Sequence, residues 1–446
     1  MRFRSASPDG LTGQLPWLLL WGMVSFAIAY VLQAEANSHR VCCDAVDYWR
    51  MAAAYDAGGL LVEHRSAGLR TWLYPAFLVL VSRLARLLST EPAHVLFALQ
   101  FGAYLASSAL LARNALPSRP RAASTLFALL ACNPFASAYL GVALTDALAL
   151  AVFNVWLAAM IGAHGRRGGH GGHGWFAAAA TLAGVACALR PAYAWLPLVT
   201  LALALAMSGG VRDRVLRIVL AAVLPCLALL PQVVINQHLF ERPTPLPVAG
   251  LAGAQLRWGI ENLKYATAPR PGSSALMFYA NPLAAGTSGA DAGVEWYARH
   301  PVRGVATLAA KLVGAFDFDF LHAYVWNREP RWAWLFRGAS LALLVLGLQG
   351  MWRYARQRGG TSLVFGPRAL PPLVFFAWAT VTLATVVELR FTLPMLSLLL
   401  PMATWFVASE ARAGSADRWR HAAVFAVAML LVACVARFVA DQNVLL

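Results

Sequence analysis

The sequence predicts an all-α polytopic membrane protein with a bundle of about eleven transmembrane helices. Three observations carry this. The 446 residues are 60% hydrophobic and only 13% charged, with a mean hydropathy of +0.60, far from the composition of soluble domains. The apolar residues come in runs of about 18–22, long enough to cross a ~30 Å hydrocarbon layer as helices. The runs are continuous rather than alternating with period two, which argues against a β-barrel. In chain order the predicted spans are 15–33, 93–112, 122–140, 145–162, 175–189, 193–208, 217–235, 332–351, 370–387, 391–408 and 421–439. Segment 72–88 is also apolar, but Arg83 and Arg86 fall inside it, and it is predicted to lie in the membrane interface. The Met1-Arg2-Phe3-Arg4 start followed by the run 15–32 is expected to be a retained anchor, since that run exceeds a signal-peptide core.

The net charge of +16 is almost entirely arginine, with lysine only at 264 and 311. In a soluble chain such a charge would suggest nucleic acid. Here the arginines sit in short junctions between apolar runs and read as topology signals. With 72–88 not spanning, Arg113/Arg119/Arg121, Arg166/Arg167, Arg212/Arg214/Arg217, Arg353/Arg356/Arg358/Arg368 and Arg412/Arg418/Arg420 share a side with Arg2 and Arg4. The positive-inside rule makes that side cytoplasmic. The expected topology is N-terminus in and C-terminus out. It leaves two long non-cytoplasmic loops: 34–92, and 236–331, whose 301–316 stretch reads as another interfacial helix.

The functional signal lies along the non-cytoplasmic edge. Charges at that depth are costly to desolvate and are seldom kept without use. Asp44 and Asp47 follow the first span, in Cys42-Cys43-Asp44-Ala45-Val46-Asp47-Tyr48-Trp49-Arg50. Asp146 opens the 145–162 run, Arg190-Pro191 turns between two spans, and Glu388 with Arg390 ends the 370–387 run. Each has a simpler reading as well. Asp44 and Asp146 suit helix N-caps, Glu388 and Arg390 suit a local charge pair, and Arg190 suits a snorkelling side chain. Asp317 and Asp319, near His322, read as solvated acids of an interfacial aromatic segment rather than as metal ligands. His64, His238 and His300 lack metal-ligand spacing, and the tract 163–174 reads as a linker. Cys132, Cys187, Cys226 and Cys434 read as core residues; adjacent Cys42 and Cys43 suggest no disulfide framework. No metal-ligating residues are assigned.

Asp44-x-x-x-Tyr48-x-x-x-Ala52, just after the first span, resembles the signature loop of GT-C-fold glycosyltransferases. The branch it resembles most holds protein O-mannosyltransferases and lipid A aminoarabinose transferases. Arg70-Thr71-Trp72-Leu73-Tyr74-Pro75, Asn133-Pro134 with Thr145-Asp146, Leu189-Arg190-Pro191 and Arg390-Phe391 with Pro394 follow in that family's order. The resemblance implies a GT-C-like catalytic module over 1–235, including the loop 34–92, then the long loop 236–331 and C-terminal helices over 332–446. It implies an inverting transfer of a sugar from a polyprenyl-phosphate donor to a hydroxyl of an envelope acceptor, at a multi-pass protein of the inner membrane. Asp44, Asp47 and Asp146 are the implied catalytic acids; Tyr48, Arg70, Arg190, Glu388 and Arg390 are the implied substrate- and phosphate-binding residues. Asp146 either orients the acceptor or helps bind a divalent cation, Mg or Mn. This chain departs from the family in placing Ala45 after Asp44, so that Asp44 and Asp47 both remain candidates for the base. The expected partners are the bilayer, the lipid-linked donor and the envelope acceptor, not nucleic acid.

Two other functions compete. A lipid-linked oligosaccharide polymerase or ligase also relies on outer-face arginines. A transporter or flippase would show inverted repeats and polar residues near the midplane; the charges here collect at one edge.

Overall fold

A computed structural model describes residues 15–37, 44–117, 119–165, 170–207, 209–267, 276–286, 293–318, 333–356, 369–385, 387–411 and 414–444. It is a helical bundle. Helices α1 (Leu15–Asn37), α2 (Asp44–Gly58), α3 (Leu73–Leu87), α4 (Pro92–Ala115), α5 (Pro120–Ala131) and α6 (Pro134–Ser137) come first. They are followed by α7 (Thr145–Gly165), α8 (His170–Leu189), α9 (Trp195–Ala206) and α10 (Val211–Phe240). Next come α11 (Leu251–Glu261), β1 (Asn262–Thr267), β2 (Leu276–Ala280), α12 (Val294–Arg299) and α13 (Pro301–Phe316). The chain finishes with α14 (Ala333–Arg356), α15 (Leu370–Ala384), α16 (Leu393–Glu410), α17 (Ser415–Ala440) and β3 (Asn443–Val444).

Among the described residues eight helices are long and apolar enough to cross a membrane: α1, α4, α7, α8, α10, α14, α16 and α17. The remaining predicted spans are the shorter helices α5, α9 and α15. The span expected over 122–140 is not one helix. It stops at Cys132, because Pro134 cannot continue the ladder, and Asn133 restarts the chain by accepting from the N–H of Phe135 and Ala136. Helix α3 occupies the expected interfacial segment and α13 the other. Helices α7 and α16 are the buried centre of the bundle, while α1 and α17 expose most of their apolar side chains, as lipid-facing helices do. Cys187 is buried, but Cys226 and Cys434 are exposed, which corrects their reading as core residues.

The loop 236–331 contains strands that the aromatic-rich sequence did not announce. Strand β1 pairs antiparallel with β2, and β2 pairs antiparallel with β3, from beyond the last helix. Both lysines of the chain, Lys264 on β1 and Lys311 on α13, are fully buried. Lys264 donates to the Asp317 carbonyl at 2.5 Å, and Lys311 donates to the carbonyls of Gly259 and Thr385, each at 2.5 Å. A side chain at Gly259 would lie 2.4 Å from the Thr385 backbone, so only glycine lets α11 close on the end of α15. Asp317 is not solvated as expected. It is buried and takes two hydrogen bonds from Arg337, at 2.5 and 2.9 Å. Asp319 and His322 lie outside the described residues.

Candidate active site

Five separate stretches deliver charge to one end of the bundle. Asp44 and Asp47 occupy the first turn of α2, and Asp146 the first turn of α7, where the partial positive charge of a helix N-terminus favours carboxylates. Arg70 comes from the turn before α3, and Arg190 from the turn after α8. Glu388 and Arg390 come from the short segment between α15 and α16. That segment is pinned on all sides. The Tyr265 N–H donates to the Val387 carbonyl at 2.9 Å, Trp378 Nε1 to the Phe391 carbonyl at 2.9 Å, and Thr392 Oγ1 to the Ala315 carbonyl at 2.8 Å.

The arginines bridge the acids. Arg70 Nη2 donates to Asp44 Oδ1 at 2.5 Å and lies 4.0 Å from Asp47 Oδ2. Arg390 donates to the other oxygen, Asp44 Oδ2, at 3.4 Å and forms a close ion pair with Glu388. Arg190 forms a close ion pair with Asp146, in which Asp146 Oδ2 is left buried without a hydrogen-bond partner. Phe391 couples the two groups: the Arg190 guanidinium lies 4.6 Å from its ring centroid and that of Arg390 lies 5.4 Å away, both within cation–π range. Arg190 therefore pairs with an acid and does not snorkel. Glu388 and Arg390 do form the local pair, and Arg390 also reaches across to Asp44.

Asp47 pairs with the exposed Arg65 at 3.2 Å and only loosely with Arg70. Tyr48 is buried under the Arg70 guanidinium, 5.0 Å from it, and meets Tyr74 edge to face. Burial raises the Tyr48 phenol; Arg70 lowers it and Asp44 raises it, and the sum is upward. Burial works against the Arg70 charge, but Tyr48 and Asp44 outweigh it and hold Arg70 firmly protonated.

The sequence-based reading missed two residues. Tyr265 of β1 donates to Glu388 at 2.7 Å and accepts from Arg390 at 3.4 Å. Burial, and then the charge of Glu388, pushes its phenol well up, so the hydroxyl keeps its proton and can donate. Nothing local marks Tyr265, because it reaches the site through a strand pairing in a loop. Arg65 was missed because it sits in the irregular turn before Arg70, where no motif marks it.

The donor set does not suit a divalent cation. Each carboxylate here is engaged by a guanidinium, and no group of three or more potential metal ligands occurs among the described residues.

This helical membrane bundle has a GT-C-like fold. It is similar to ArnT from Cupriavidus metallidurans, solved bound to undecaprenyl phosphate, with a TM-score of 0.52 and 15% identity, over 94% of this chain and 64% of that one. It is likewise similar to the Archaeoglobus fulgidus oligosaccharyltransferase in its apo form, with a TM-score of 0.54 and 16% identity, over 96% of this chain and 56% of that one. The chain thus spans under two thirds of the length of either protein. No family model and no curated protein sequence matches it.

Proposed function

We propose that this protein is an inverting glycosyltransferase that moves a sugar from a polyprenyl-phosphate donor to a hydroxyl of an envelope acceptor. The observation that carries the proposal is Asp44 held between Arg70 and Arg390 at the rim of the bundle. A carboxylate beside two guanidiniums combines a proton acceptor with a phosphate cradle, the two functions this reaction needs. In the step, Asp44 takes the proton from the acceptor hydroxyl and its oxygen attacks the anomeric carbon. The bond from that carbon to the phosphate oxygen breaks, and its electron pair leaves on the lipid phosphate. Arg70 and Arg390 neutralise that charge. Asp44 is favoured over Asp47 as base because Asp47 is turned toward the exposed Arg65.

A groove of about 940 Å³ supports a lipid-linked donor. Trp17, Trp21, Leu343, Leu396 and Leu400 line it. The α5 stretch lines it from Pro120 to Cys132, α1, α14 and α16 line it as well, and the mostly apolar walls suit a polyprenyl chain. The arginine distribution favours the non-cytoplasmic face of the membrane for the cluster. The ArnT match supports a polyprenyl donor, and the oligosaccharyltransferase match keeps transfer of a lipid-linked oligosaccharide as the second reading.

The test is release of undecaprenyl phosphate by membranes containing the protein, supplied with undecaprenyl-phosphate sugars and envelope lipids. Asp44→Asn should lower turnover by about 10²–10⁴, the range of a lost general base, while Asp47→Asn keeps most of it. Full activity in Asp44→Asn and loss in Asp47→Asn would reassign the base. Full activity in both would remove the catalytic reading.

A further inference from the structure

Among the described residues, the acids of the site are all paired. Asp44, Asp47, Asp146 and Glu388 are matched by Arg70, Arg65, Arg190 and Arg390, each acid with its own guanidinium. The phosphodiester headgroup of a lipid-linked sugar carries a negative charge, and the Arg65, Arg70, Arg190 and Arg390 guanidiniums that it meets in this cluster are already engaged by acids. It gains a counter-charge from one of these arginines when that arginine turns to it from its acid, and a buried charge without a counter-charge is strongly disfavoured.

The four pairs are not equally able to give way. Arg190 is held in a buried pair and packs on Phe391. Arg390 is anchored by Glu388 and by Tyr265, and the segment bearing it is pinned to β1, α13 and α15. Arg65 is largely exposed and serves Asp47. Arg70 differs. It lies on a turn outside any helix, its Nε is buried with no hydrogen-bond partner, and its flat face rests on Tyr48. It can pivot on that ring and still keep a cation–π contact.

We propose that the donor itself unlocks the base: the phosphate draws Arg70 off Asp44 Oδ1 and so frees that oxygen to accept the acceptor proton. Resting Asp44 has Arg70 on Oδ1 and Arg390 on Oδ2, an arrangement that blocks proton transfer until Arg70 leaves. Donor must then bind before the acceptor can react, which guards the base when no sugar is loaded. Arg70 is thus both the lock on Asp44 and a ligand of the phosphate. The inference rests on the polyprenyl-phosphate reading above.

Binding of undecaprenyl phosphate, measured by native mass spectrometry on purified wild-type and variant protein, tests it without turnover. If Asp44 competes with the phosphate for Arg70, Asp44→Asn binds roughly three- to tenfold tighter than wild type, as expected for losing one partly exposed competing ion pair. Arg70→Met binds more weakly, and in that background Asp44→Asn loses most of its gain. Asp44→Ala serves beside Asp44→Asn in case either folds poorly. Equal or weaker binding by both Asp44 variants overturns the exchange while leaving the donor reading intact. An undiminished gain in the Arg70→Met background also overturns it, since the gain would then be simple relief of repulsion. If wild type does not bind undecaprenyl phosphate, the donor reading falls and the exchange falls with it.

Discussion

Removing Arg190 should unfold the bundle far more readily than removing its partner. The Asp146 side chain is 1% exposed, against 13% for Arg190, and its Oδ2 has no hydrogen-bond partner even with the pair intact. Arg190→Met would leave that carboxylate buried and uncompensated, a change that costs about 3–5 kcal/mol when a buried pair is broken from one side. The first turn of α7 offsets up to about 1 kcal/mol through its partial positive charge, leaving roughly 2–4 kcal/mol. Asp146→Asn removes the charge from the more deeply buried side. The remaining guanidinium keeps its contact with Phe391, and the expected cost is about 1–2 kcal/mol. The double variant should fall well short of the sum, because Arg190→Met costs little once Asp146 is neutral. Unfolding of the four proteins by SDS in mixed micelles, followed by circular dichroism, measures these differences. Equal stability of Arg190→Met and wild type, or a larger loss in Asp146→Asn than in Arg190→Met, would refute the reasoning.

Tyr265→Phe removes the hydroxyl that joins Glu388 to Arg390; kcat/KM for the lipid-linked donor should fall about 10–100-fold with little change in stability, the size of one lost charge-assisted hydrogen bond. Burial brings Lys311 down to about 7, below its ordinary range near 10.4. Above pH 7 the neutral amine has the two N–H groups its two carbonyls require. The unfolded chain therefore binds the extra proton between pH 7 and about 10, and stability should rise with pH across that window. Lys311→Met should be less stable than wild type and should lose that rise, read as Tm in detergent from pH 7 to 10. A topology reporter inserted at Thr90 should report the non-cytoplasmic side; a cytoplasmic signal would mean that 72–88 crosses the membrane.

Much of the site was legible because spanning helices deliver residues to fixed depths. Once the arginine pattern sets which end of each helix shares a side, Asp44, Asp146, Arg190 and Arg390 must lie at one level. Their convergence in the plane then follows from packing of α7 against α4 and α8, and of α16 against α14. What stayed hidden depends on non-local pairing. Tyr265 is one aromatic residue among many until β1 hydrogen-bonds to the Val387 carbonyl. Asp317 looked solvated because Arg337 lies 20 residues on. The break at Asn133-Pro134 is visible in sequence, yet hydrophobicity carried the predicted span through it; the Asn133 cap and the proline outweigh the apolar run.

The sheet imposes an order on biogenesis. Its central strand β2 pairs on one edge with β1, close in sequence, and on the other with β3, which emerges only after α17 has been inserted. β1 also supplies Tyr265 to Glu388, and Lys311 ties the same subdomain to the end of α15. Membrane insertion of the N-terminal half can therefore place Asp44, Arg70, Asp146 and Arg190 early, in a state that still lacks Glu388, Arg390 and the second edge of the sheet. A chain halted before α15 would carry half a charge cluster, with Asp44 short of one arginine, and would be a natural substrate for membrane quality control.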